Sequence, residues 1–120
     1  MEDTELLIGG LGIAKSVVST IVRLSAERVE GVARVGGNDI ASNLVSVFTR
    51  RSVSSEHAIE SYVEDDKLHV VIHLAVFYGY PFTKLAEAVR LAVAEGVSEQ
   101  IGIEVSVVDV CIDSLVFPKE

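Results

Sequence analysis

The sequence predicts an α/β protein of the α+β type, a two-layer sandwich. A small mixed β-sheet is covered by two main helices, in the order β-α-β-(α)-β-β-α-β. Three observations carry this expectation. Apolar residues recur at three- and four-residue spacing over residues 13–28 and again over 85–97, the period of amphipathic helices. Apolar and other residues alternate along residues 68–78, the period of a strand. The chain has 120 residues, 49% of them hydrophobic and 23% charged. That is enough for one core and too apolar for wholesale disorder, so residues 1–120 read as a single domain.

The elements follow in order. Residues 5–8 are a short apolar piece, and Gly9, Gly10 and Gly12 mark a strand end and a turn. In the first helix, 13–28, the stripe is Ile13, Val17, Ile21 and Leu24, widened by Ala14, Val18, Val22 and Ser25. Ser16, Ser19 and Ser25 lower its intrinsic propensity, so tertiary packing has to hold it. Residues 29–35 are valine-rich and read as a strand, followed by the turn signal Gly36-Gly37-Asn38-Asp39. Asn38 or Asp39 caps an expected short helix over 40–48, and the arginines and serines of 50–55 read as a connector.

A hairpin comes next, with arms 58–63 and 68–78 around Glu64-Asp65-Asp66-Lys67. Leu68, Val70, Ile72, Leu74, Val76 and Tyr78 share one face of the second arm; His69, Val71, His73, Ala75 and Phe77 share the other. Pro81 precedes the last helix, Thr83 is its expected N-cap, and Gly102 stops it. Residues 103–116 form the last strand, with a bulge expected between Val105 and Val108, where the apolar phase shifts. The core is expected to contain Val17, Ile21, Leu24, Leu85, Val89, Val70, Ile72 and Val110.

Few residues carry recognisable chemistry. The stretch GGLGIAKS has Ala14 where a phosphate-binding loop needs glycine before its lysine. It also has Lys15 where the dinucleotide fingerprint needs its third glycine, so it reads as a turn into the first helix. His69 and His73 share a strand face, but four residues of strand hold their Cα atoms roughly 13 Å apart, too far for one ion without a bend. Asp109, Cys111 and Asp113 share a phase on the last strand and are their possible cross-strand partners. Cys111 is the only cysteine, which excludes an internal disulfide and suits a reducing compartment. No basic residue lies near it in sequence, and two nearby aspartates would raise its pKa. No catalytic set, cofactor site or metal site is expected. The net charge of −8 argues against nucleic acid and anionic lipid. Arg50 and Arg51 are the one compact basic spot, a candidate anion or partner contact. The start MEDTELLIGG has no basic n-region, and no apolar run is long enough to span a bilayer, so a cytoplasmic location is expected.

Four passages in sequence resemble the alkaline shock protein family, the bacterial envelope-stress response proteins, across residues 7–117. They are AERVEGV at 26–32, LHVVIHLAVFYG at 68–79, the helix over 85–97, and IGIEV at 101–105 followed by VDVCI at 108–112. The family shares no catalytic residues, so the resemblance implies a non-enzymatic protein acting through protein contacts in envelope or alkaline stress homeostasis. Some relatives associate with the inner membrane face through a separate membrane protein, which implies a membrane-proximal place reached through a partner. Others are linked to fatty-acid synthesis control, so a regulator docking on a biosynthetic enzyme is the alternative reading. A nucleic-acid-binding module is the second alternative, because small α/β sandwiches often serve that role, though the charge opposes it.

If both helices lie on one side of the sheet, only the short segment 40–48 remains to shield part of the other, where Val71, Ala75, Phe77 and Val107 make an interaction face. A homo-oligomer, most simply a symmetric dimer, or a docked partner is expected there, with Phe77 as anchor.

Overall fold

In the computed structural model, residues 5–36 and 58–117 are described. The expected helix over 40–48, the connector after it, Arg50, Arg51 and His57 lie outside them. The elements are β1 (Glu5–Ile8), β2 (Leu11–Ala14), α1 (Lys15–Glu27), β3 (Val32–Val35), β4 (Ile59–Glu64), β5 (Lys67–Phe77), α2 (Phe82–Gln100) and β6 (Val105–Val116). The two-layer α+β architecture is as the sequence predicts.

One strand is added to the expected order. β1 and β2 form an antiparallel hairpin that pairs Leu6 with Ile13 and Ile8 with Leu11. Gly9 and Gly10 both take positive φ, at 57° and 82°, which is the two-residue turn that matches strand twist. Ile13 and Ala14 therefore belong to β2, and the helix begins two residues later than its apolar period suggests. The turn is tied down where the Gly9 N–H donates to Asp66 Oδ1 at 3.0 Å. Asp66 itself sits in the β4–β5 turn, where Asp65 and Asp66 have φ of 55° and 59°. Two hairpin ends thus meet.

β5 organises the larger sheet. β6 runs parallel along one of its edges. Its other edge is shared by β4, antiparallel over Lys67–Ile72, and by β3, antiparallel over Leu74–Val76. The junction is His73, whose N–H donates to Ala58 O at 2.8 Å and whose carbonyl accepts from Gly36 N at 2.9 Å. β3 and β4 therefore lie end to end against one strand.

Both helices pack on one face of this sheet and on each other. Leu68, Val70, Ile72, Leu74 and Val76 are fully buried beneath Val18 and Val22 of α1 and Val89, Val93 and Val97 of α2. Full burial of each such side chain is worth about 1.5–3 kcal/mol. The expected core is correct for Leu85, Val89, Val70 and Ile72, while Ile21 and Val110 are only partly buried against it. For Val17 and Leu24 it is wrong: they are 47% and 55% exposed. α1 turns Val18, Val22, Ser25 and Ala26 inward instead. The reason is contact distance. A Cβ on Gly96 of α2 would overlap Ser25 Oγ, so the helices approach too closely there for a leucine.

The helix ends also differ in detail. Pro81, not Thr83, holds the N-cap position of α2, and Thr83 falls inside the first turn. Pro81 has φ −63° and its carbonyl accepts the first helical bond, from Leu85 N at 3.0 Å. A proline there loses no needed donor. Gly102, at φ 86°, ends α2 as expected, its N–H reaching Ser98 O at 3.0 Å.

Candidate interaction face

Among the described residues, α1 and α2 are the only helices, and neither covers the second face of the sheet. That face is built in rows across three strands. Tyr62, His69 and Val107 make one row; Glu60, Val71 and Asp109 make the next; His73 and Cys111 make the third. Arg34 and Ala75 follow toward the far end, then Phe77.

The β6 register explains how the polar groups meet. A shift between Leu68 and His69 leaves Ser106 unpaired, which is the expected bulge between Val105 and Val108. A second shift falls between Leu74 and Ala75 and leaves Asp113 as the extra residue, where the apolar phase passes from Ile112 to Leu115. Bulges re-aim side chains. This one directs Asp113 onto His73, with Nδ1 and Oδ2 2.8 Å apart. Ser114 then pairs with Ala75. The Ser114 hydroxyl is buried and, among the described residues, has no hydrogen-bond partner. His69 stacks on Tyr62 with ring centroids 5.1 Å apart, and its Nε2 lies 3.9 Å from a Glu64 carboxylate oxygen.

The electrostatics are one-sided at the centre. Partial burial pushes the Cys111 thiol above its ordinary pKa, and the carboxylates of Asp113, Asp109 and Glu60 push it further. The two aspartates are legible from sequence; Glu60 is not, because it arrives from β4. A thiol held protonated is a poor nucleophile. His73 and Asp113 supply a hydrogen-bonded pair, but they stand beside a sulfur that their surroundings keep neutral. Among the described residues no group of three or more His, Cys, Asp or Glu is arranged to hold a metal ion.

The four residues expected to make contacts are not equivalent. Val107 is 39% exposed, Val71 and Phe77 are half-buried, and Ala75 is fully buried. Ala75 offers no surface and drops out of the contact set. Tyr62, 45% exposed, joins it instead. The sequence places Tyr62 in the first hairpin arm, and its place on the open face follows only from its pairing with His69. The glycine-rich stretch forms the β1–β2 turn and gives way to Lys15, the first residue of α1.

Among the described residues no helix is long and apolar enough to cross a membrane. No curated protein matches the chain. The ASP23 family, described as having a cell envelope-related function, matches residues 4–117. That span holds the whole sandwich and every residue of the open face, and the chain therefore belongs to this alkaline shock protein family of cell envelope-related proteins.

Proposed function

We propose that this protein works without catalysis, as a cytoplasmic contact module in envelope or alkaline stress homeostasis. The observation that carries the reading is the sheet face that no described helix covers, on which Val71, Phe77, Val107 and Tyr62 stand among charged groups. A solvated face needs no such apolar content. The face is rigid, because it is the back of the strands that build the core, so it presents a fixed surface at little ordering cost. A symmetric dimer through this face and a membrane-anchored or biosynthetic partner docked on it are the two forms the contact takes. The alternative of a regulator seated on a metabolic enzyme uses the same surface.

The test is complementation in the native cell. Val71→Asp combined with Val107→Asp should reproduce the envelope-stress sensitivity of a deletion strain, while circular dichroism and thermal unfolding of the purified variant stay near wild type. Light scattering at micromolar concentration, comparing wild type with Phe77→Asp, separates self-association from partner docking. Full complementation by the folded double variant would remove this face from the function. Stoichiometric turnover of any substrate by the purified chain would end the non-catalytic reading.

A further inference from the structure

The open face is apolar, but its centre is acidic. Glu60 on β4 and Asp109 on β6 are the register neighbours of Val71, one on each side. Neighbouring strands are about 4.8 Å apart, so the two carboxylates bracket Val71 at roughly 10 Å. Asp113 follows one row on, oriented by His73, and next to it lies the buried hydroxyl of Ser114, unsatisfied among the described residues. Lys67 and Arg34 stand at the two ends of the face, away from this centre.

We propose, resting on the docking role of this face, that it receives a cationic segment of a partner protein, in which lysine or arginine stands among aliphatic side chains. The chemistry fits each part. Long basic side chains lay their methylene stems along apolar surface and keep the charged head at the polar margin. Here Val71 and Val107 take the stems, and Glu60 and Asp109 take the heads. A second copy of the chain fits worse. It would set Glu60, Asp109 and Asp113 against their own equivalents, between two molecules that each carry −8. Like charges brought together across an interface oppose association.

The experiment titrates two synthetic twelve-residue peptides into the isotope-labelled full chain, one of leucine and lysine, one of leucine and glutamate. Amide shifts are read by NMR. The lysine peptide should shift residues 69–73 and 107–111, and the glutamate peptide should not. Glu60→Gln with Asp109→Asn should weaken the lysine peptide roughly three-fold or more, as should added salt. Both residues are exposed, so the variant keeps its core, and Asp113 is left in place because His73 holds it. Lysine-peptide shifts confined to the acidic side of α2, around Glu95 and Glu99, would overturn the proposal. Equal binding of the glutamate peptide would do the same. If the face amides instead shift on simple dilution and ignore both peptides, a second copy occupies the surface: the cationic partner fails and the docking face stands. No response at the face under any condition removes both.

Discussion

On one side of β5, Leu68, Val70, Ile72, Leu74 and Val76 are all fully buried aliphatic side chains. On the other, His69, Val71, His73 and Phe77 keep part of their surface, and only Ala75 is shut away. The same eleven residues thus serve two chemistries at a period of two. The core side of β5 carries only aliphatic side chains because two helices exclude water from it. The open side mixes apolar, imidazole and carboxylate groups because nothing among the described residues forces a choice. The difference sets the packing that stabilises the chain on one face of the strand and the proposed contact surface on the other, so each can be altered without the other.

The largest effect should come from a paired truncation of adjacent residues. Ile72→Ala removes a fully buried side chain and should cost about 2–5 kcal/mol in urea denaturation. Val71→Ala, one residue away and on the open side, should cost about 0.5 kcal/mol or less. Equal costs would mean that the open face is packed as tightly as the core, and the division between faces would break.

A second test adds atoms instead of removing them. An alanine usually stabilises a helix over glycine by about 1 kcal/mol. At Gly96 the sign should reverse, because the new methyl would overlap Ser25 Oγ where α1 and α2 meet. Gly96→Ala should destabilise by about 1–3 kcal/mol, the usual range for overpacking. Ser25→Ala in the same chain should recover part of that loss. A stabilising Gly96→Ala would show that the helix layer gives way easily, and that the core side is less exacting than its burial implies.

The same contrast explains what could be read from sequence. β5 is legible because its alternation is strict and its turn, Asp65-Asp66, is flanked by clear strand patterns. α1 is legible as a helix but not in rotation. Val17, Ile21 and Leu24 repeat with the same period as Val18, Val22 and Ser25, and side-chain size favours the first set. What decides is Ser25 against Gly96, seventy-one positions away, a close approach that no local pattern encodes. The N-terminal hairpin was hidden for a related reason: four-residue strands carry too little periodicity to separate from a helix start. On the open face, the shared phase of Asp109, Cys111 and Asp113 is visible in sequence, as is the facing of His69 and His73. Which histidine meets which aspartate depends on the bulge at Asp113; the apolar phase shifts there too, from Ile112 to Leu115, but that spacing does not say which residue of β5 the extra aspartate faces.

The smallest expected effect is at Cys111, and it reports on the open face directly. Burial and the carboxylates of Asp113, Asp109 and Glu60 raise its pKa, so the folded chain holds the thiol proton more tightly than the unfolded chain does. The sign follows from linkage. The stabilisation is fully present below the ordinary thiol value of about 8.5, and it is lost as pH rises through the higher folded value. Wild type should therefore lose more stability above about pH 8.5 than Cys111→Ser, which has no proton to release there. The side chain is only partly buried and solvent screens the carboxylates around it, so the difference is small, and reactivity is the more sensitive reading. Alkylation proceeds through the thiolate. At fixed pH, Cys111 in the folded chain should react more slowly with iodoacetamide than the same thiol in urea, and Glu60→Gln with Asp109→Asn should speed the folded reaction. If the folded and unfolded rates coincide, the acidic centre does not act on its own thiol, and its pull on a cationic partner would be correspondingly weak.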